Sequence, residues 1–257
     1  VTPFLPGTEV RNEVIAATDK RDNAWIFGGP YSPVLYVKGT IPANRAVFRV
    51  KGAMHDPAAV FVSELETVLL KNNICVEQKE ITSGERYELL SVGSPSLGEI
   101  VFHTNKSSVN LFAEALGCLA AGDDWSVRVE ETLKQTGVDA SGMVLKDACG
   151  LSPMNAIPAR VFTDLLVYVG QQRQTALLNS LPQAGADGGL AGYCHASPEL
   201  KNRLKAKTGS MAGVRCLAGF VTRKSGEQLA FTILINHYTC TTAELQRAVG
   251  KFLNSFL

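Results

Sequence analysis

The chain of 257 residues is marked first by what it does not contain. No stretch approaches 18 uninterrupted apolar residues, so no membrane-spanning helix is expected. Net charge is only +1 and no block of Lys and Arg stands out, which argues against a nucleic-acid partner and its clustered basic surface. The six cysteines (Cys75, Cys118, Cys149, Cys194, Cys216 and Cys240) form no C-x-x-C and pair with no histidine at zinc spacing. They read as small buried hydrophobes, with one disulfide left open. Neither G-x-G-x-x-G nor G-x-x-x-x-G-K-[ST] occurs, so no nucleotide is implied; no cofactor and no metal is expected. No G-x-S-x-G elbow is present. His55, His103, His195 and His237 stand at no motif spacing and are expected on the surface or in loops. Spacing alone does not rule on a Ser-His-Asp triad assembled by the fold. Internal repeats are absent, and the sequence opens at Val1 without a methionine or a leader. The expectation is that any signal peptide has been removed or lies upstream.

What is present is an ordinary globular composition, 46% apolar and 19% charged, long enough for one large domain or two smaller ones. Residues 1–50 read as β-rich, with strands expected at Leu35–Ile41 and Ala46–Gly52. Asp56-Pro57 signals a helix start, with Val60, Phe61, Leu65, Val68 and Leu69 at helical spacing and an end near Asn72-Asn73. A short strand is expected through Ile74–Val76, then a polar, turn-rich stretch over 77–98 with Ser83-Gly84 and Gly93–Ser96. Beyond Leu97 helices are expected to dominate. One carries Leu111, Phe112, Ala115, Leu116 and Leu119 and is capped by Ser107 or Ser108. A second is capped by Asp124, and a third runs from Pro158 to Gly170. Lys205–Gly209, Arg215–Arg223 and Gln228–Asn236 read as three strands, the last two joined by the Lys224–Glu227 turn. Thr241-x-x-Glu244 is a capping box opening a C-terminal helix with Leu245, Val249, Phe252, Leu253 and Phe256 on one face. The fold class expected is α+β, an antiparallel sheet flanked by helices.

The chemistry concentrates in Lys207-Thr208-Gly209-Ser210. On an edge strand Lys207 supplies a fixed positive charge, and Thr208 and Ser210 project hydroxyls to one side, as suits a carboxylate. Gly209 leaves room for close approach, and a free Ser210 N–H can donate to an oxyanion. Well upstream, Ser108-Val109-Asn110 places a hydroxyl that can relay a proton beside an amide that can orient a substrate amide.

Other stretches join these two. Asn110 is followed by Ala113-Glu114 and Leu116; Asp147-Ala148-Cys149-Gly150-Leu151-Ser152 stands with Asn155; Leu181 to Leu190 reads L-P-Q-A-G-A-D-G-G-L; and Gly213-Val214 and Leu217–Phe220 follow the K-T-G-S. Penicillin-binding proteins and class A β-lactamases carry S-x-x-K, then S-D-N, then K-T-G in that order. In order and spacing the motifs resemble the class C low-molecular-mass penicillin-binding proteins, the D-alanyl-D-alanine carboxypeptidase/endopeptidase family. The resemblance covers roughly residues 35–240.

That resemblance implies a penicillin-binding, β-lactamase-like transpeptidase fold, present here in part. Residues 1–75 would be the closing part of a β-rich inserted domain, and 76–257 the C-terminal part of the serine acyl-transferase domain. It implies an envelope enzyme, periplasmic or otherwise extracytoplasmic, that acts on peptidoglycan peptides ending in D-Ala-D-Ala and is acylated by β-lactams. By position, Ser108 and Lys207 would be catalytic, and Asn110, Thr208, Gly209 and Ser210 would bind substrate. The Asp147 and Asp187 motifs would shape loops around the cleft. The sequence departs from the family pattern at Ala148-Cys149, Pro153 and Gly189, and above all in S-x-x-K: no serine is followed three residues later by lysine. The expectation is that the chain is the C-terminal part of a longer protein. The rivals are a non-catalytic peptidoglycan-binding module on the same scaffold and a β-lactamase or esterase.

Overall fold

The computed structural model describes residues 1–18, 23–77, 88, 90–172 and 174–257. The chain separates into two compact units, Val1–Leu89 and Leu90–Leu257.

The first unit holds a three-stranded sheet of order β1-β3-β2, with β1 at Glu9–Ala17, β2 at Asn23–Phe27 and β3 at Val34–Pro42. β3 runs parallel to β1 and antiparallel to β2, with Glu9 beside Val34 and Asn23 beside Thr40. Gly39 has φ +115° and sits where a Cβ would lie 2.1 Å from the Asn23 carbonyl oxygen, so this strand position requires glycine. Helix α1 (Pro57–Lys71) begins as expected: Asp56 accepts from the Ala59 N–H at 3.0 Å and Pro57 fills the first turn. The strand expected over 46–52 does not form. Its alternation was partial, and Gly52 serves instead as a surface against which the Ile26 side chain rests. Ile74–Val76 is not a strand either. The Ile74 N–H folds back onto Leu69 O at 2.9 Å, and Ile74 and Val76 are exposed. Ser83-Gly84 lies outside the described residues.

The second unit begins with a capping box that drew no attention in the sequence. Ser96 Oγ accepts from the Glu99 N–H, and Glu99 Oε2 accepts from the Ser96 N–H, opening α2 (Leu97–Ser107). α2 stops at Ser108, which takes the left-handed conformation (φ 54°, ψ 50°). α3 (Asn110–Ala121) starts immediately after, with Val109 at its N-cap and no side-chain cap. This corrects the expected serine cap: Ser107 and Ser108 end one helix rather than begin the next. α4 (Trp125–Gln135) follows Asp124, whose side chain makes no cap bond, and α5 (Ala159–Gln171) follows Pro158.

The short helices α6 (Thr175–Ser180) and α7 (Ala191–Cys194) lead into the sheet β4-β5-β6. Its strands are β4 (Leu204–Met211), β5 (Val214–Thr222) and β6 (Gln228–Asn236), all antiparallel, within a residue or two of the sequence expectation. The Thr241/Glu244 capping box forms and opens α8 (Thr242–Asn254).

One face of the sheet carries Leu204, Ala206, Leu217 and Val221, packed with Leu190, Tyr193 and Leu200 against Val249 and Leu253 of α8. On the other face the Phe220 ring reaches Gly170 of α5. A second core joins Leu133, Val138, Ala140 and Val161 beneath α4 and α5. The cysteines depart from expectation: all six are free thiols, and Cys75, Cys118 and Cys240 are exposed, so only half are even partly withdrawn from water.

α8 approaches α7 so closely that a Cβ on Gly250 would lie 2.1 Å from Tyr193 O. Gly98, in the first turn of α2, faces open space. Helix propensity favours alanine at both, by up to about 1 kcal/mol. Gly98→Ala should therefore stabilise the protein slightly, while Gly250→Ala should destabilise it by more than about 1 kcal/mol. Urea unfolding of the two variants checks this opposition of sign.

Candidate active site

β4 is an edge strand, and only half of its outer edge is covered. The Ala184 N–H donates to Leu204 O and the Ala206 N–H to Pro182 O, both at 2.9 Å, so the 182–184 segment runs beside the start of β4. In an antiparallel ladder alternate residues turn both backbone groups the same way. Since Leu204 and Ala206 face outward, so do Thr208 and Ser210, whereas Lys205, Lys207 and Gly209 pair with β5. Among the described residues no backbone segment runs beside Thr208 or Ser210. The Ser210 N–H thus has no backbone partner among the described residues.

Side chains alternate by the same parity. Leu204 and Ala206 enter the core, and Lys207 lies on the opposite face, the one that meets α5 through Phe220. There Lys207 Nζ donates to Ser108 Oγ at 2.8 Å and to Thr208 O at 2.8 Å. Residues 99 apart in sequence are joined by this one contact. Burial pulls the Lys207 ammonium below the ordinary lysine value of 10.5.

Ser108 and Lys207 share a cavity of about 260 Å³ with Asn105, Lys106, Asp187 and Thr208. The structure therefore brings Ser108, Lys207 and Thr208 together around one space. Asn110, on the first turn of α3, and Gly209 and Ser210, further along β4, are exposed beside it and are not part of its wall.

Two site residues, Asn105 and Lys106, were not singled out in the sequence. Both sit on the last turn of α2 and grip the segment that flanks β4. Asn105 Nδ2 donates to Ser180 Oγ at 2.7 Å, and Ser180 is fully buried. Lys106 Nζ donates to Leu181 O at 2.9 Å and to Asp187 Oδ2 at 2.8 Å. Asp187 Oδ2 also accepts from the Gln183 N–H at 2.7 Å. The only hint in the sequence was position, two and three residues before Ser108 on an apolar-patterned helix.

The Asp147 loop is locked in a similar manner. Glu114 Oε1 accepts from the N–H groups of Ala148 (3.0 Å) and Cys149 (2.9 Å). Asp147 accepts from the Gly150 and Ser152 N–H groups and from Asn155 Nδ2. Glu114, Asp147 and Cys149 bring three possible metal donors within 4.8 Å of one another. The carboxylates are already engaged by these N–H donors, however, and burial pushes the Cys149 thiol up, away from the thiolate a metal needs. The cluster reads as a loop lock.

The architecture is that of the penicillin-binding, β-lactamase-like fold, in which an antiparallel sheet is flanked by helices. The chain superposes with a TM-score of 0.75 on penicillin-binding protein 4 (dacB) from Haemophilus influenzae in complex with a β-lactam. Identity there is 25%, over 97% of this chain and 62% of that one. The sequence pattern of the D-Ala-D-Ala carboxypeptidase 3 (S13) family matches residues 30–255, and the chain belongs to that family. It is 31% identical over 251 residues to a D-alanyl-D-alanine carboxypeptidase of Actinomadura sp. (strain R39), covering 90% of this chain and 46% of that protein. It is 34% identical over 116 residues to the D-alanyl-D-alanine carboxypeptidase DacB of Haemophilus influenzae, covering 44% of this chain and 24% of that one. The chain thus spans about half the length of the curated relatives it matches, or less.

The Asp187 carboxyl is held below its ordinary 3.8 by the Gln183 N–H and then by Lys106, against the opposing effect of burial. A depressed carboxylate contributes stability that is complete above its unfolded pKa and is lost as pH falls through its folded one. Asp187→Asn should therefore lower stability at neutral pH and flatten its fall below about pH 4. Thermal unfolding of both proteins across the acid range reads the difference.

Proposed function

We propose that the protein carrying this chain is a serine-type D-alanyl-D-alanine carboxypeptidase. It would act on peptidoglycan stem peptides through an acyl-enzyme and be acylated at the same serine by penicillins. The observation that carries this reading is the contact of Lys207 Nζ with Ser108 Oγ at 2.8 Å, set beside a strand edge along which no backbone segment runs at Ser210 among the described residues. The nucleophile belongs to an S-x-x-K serine outside residues 1–257. The family match and the β-lactam complex of the Haemophilus influenzae protein support the same chemistry.

In this mechanism Ser108 Oγ carries the proton between the nucleophile and the leaving amine, and Lys207 holds the ionised state in place by its charge. Asn110 orients the substrate amide. The Thr208 and Ser210 hydroxyls receive the terminal carboxylate, and Gly209 leaves them space. The Ser210 N–H supplies one of the two donors that stabilise the tetrahedral oxyanion. Residues 1–75 form the end of a β-rich insertion, and 76–257 contribute one wall of the cleft. A peptidoglycan substrate places the protein at the extracytoplasmic envelope. Among the described residues no helix is long and apolar enough to cross a membrane.

A labelled penicillin should modify the full protein on a serine outside this chain. Lys207→Ala should slow that labelling by at least about a hundredfold, the scale of removing one preorganised electrostatic group. The 257-residue chain alone should take no covalent label. Labelling of the isolated chain, or an unimpaired Lys207→Ala protein, would sink the assignment. Mass spectrometry of the digested conjugate reads the site.

A further inference from the structure

We propose that Lys106 and Asp187 are a positioning pair. They hold Ser108 against Lys207 and set the charge that Lys207 experiences. The inference rests on the acyl-transfer reading for its kinetic consequence, and on geometry alone for the rest.

Ser108 is a non-glycine residue in the left-handed region, a conformation that costs on the order of 1–3 kcal/mol and persists only where neighbours impose it. Its side chain has one hydrogen-bond partner among the described residues, Lys207. Its backbone N–H donates to Thr104 O of α2, so the backbone is fixed from the helix side. Two residues before it, Lys106 is tied to Leu181 O and Asp187, and three before it, Asn105 is tied to buried Ser180. The segment they hold is itself bonded to β4 at Leu204 and Ala206, one residue short of Lys207. The end of α2, the 180–187 segment and β4 thus form a closed ring of hydrogen bonds, and the Ser108–Lys207 contact closes it. Neither member of the pair is loosely placed: the side chains of Lys106 and Asp187 are only 19% and 27% exposed.

The pair also balances charge. The titratable groups lining the cavity are Lys106, Asp187 and Lys207. On its own sheet face, Lys207 is flanked by Lys205 on β4 and by Ala218 and Cys216 on β5. Asp187 neutralises Lys106, which leaves Lys207 as the uncompensated charge of the cavity. Breaking the pair from either side has opposite consequences. Asp187→Asn frees a second ammonium, which disfavours the charged form of Lys207 and adds to the lowering that burial already imposes. Lys106→Met leaves a lone carboxylate, which favours the charged form. A packing role alone would not produce shifts of opposite sign.

The test is a titration of Lys207 in the full protein labelled with 13Cε-lysine, its signal identified by loss in Lys207→Arg. Asp187→Asn should lower the Lys207 pKa and Lys106→Met should raise it. The double variant should return near the parent value. Shifts in one direction, or none, would overturn the pair. Should Lys106→Met fail to fold, the sign for Asp187→Asn decides, because its amide oxygen still accepts from the Gln183 N–H. The kinetic arm measures acylation by labelled penicillin against pH. Both single variants should slow it by about tenfold through the displaced Ser108. The alkaline limb should move down for Asp187→Asn and up for Lys106→Met. If the parent protein takes no label, the acyl-transfer reading fails, while the titration still judges the pair.

Discussion

A lysine ammonium drawn partly out of water is the constraint around which the second unit is organised. Lys207 loses hydration on the face of β4 opposite Leu204 and Ala206, and it donates two hydrogen bonds, one to Thr208 O of its own strand and one to Ser108 Oγ. Desolvation of a charge is costly unless its donors are satisfied. The partner that satisfies it lies on a different layer of the fold, so the sheet and the end of α2 must keep a fixed separation. Much of the remaining architecture serves that separation: the 180–187 segment bonded to both, the α8 core beneath β4, and α5 across the opposite face.

The elements whose signals are local were readable from sequence. β4, β5, β6 and α8 declared themselves by alternation, a Gly-containing turn and a capping box, all decided within a few residues. Asp56-Pro57 did the same for α1. The failures share a cause. Ala46–Gly52 and Ile74–Val76 have strand-like residues, but a strand exists only where an edge is available to pair with. The pairing of β1 with β3 is parallel and long-range, and no sequence pattern announces it. The cysteines were placed by residue type, and three stand exposed all the same.

The site divides along the same line. Ser108, Lys207 and Thr208 were legible as motif residues, and they meet around one cavity. Their surroundings were not. Lys106 and Asn105 look like the polar face of a helix, and Glu114, although it belongs to the motif that follows Asn110, shows no partner in the sequence. Each becomes informative only when its partner is known: Asp187, Ser180, and the N–H groups of Ala148 and Cys149. These partners lie between 34 and 81 residues away, and composition at that range carries no signal.

Ser108 shows how the two levels meet. A position that ends a helix in the left-handed conformation is one where glycine is cheapest and asparagine next. Serine there gives up stability that the backbone alone would favour keeping, and the hydroxyl it retains is the atom that Lys207 holds. Such an exchange is understandable only if the oxygen has work to do at that point. The same left-handed turn ends α2 and starts α3 two residues later, so Asn110 emerges on a separate helix axis from Lys106. The turn therefore separates the two duties of this stretch. Residues before it anchor the scaffold, Ser108 is left lining the cavity, and Asn110 stands exposed beside it.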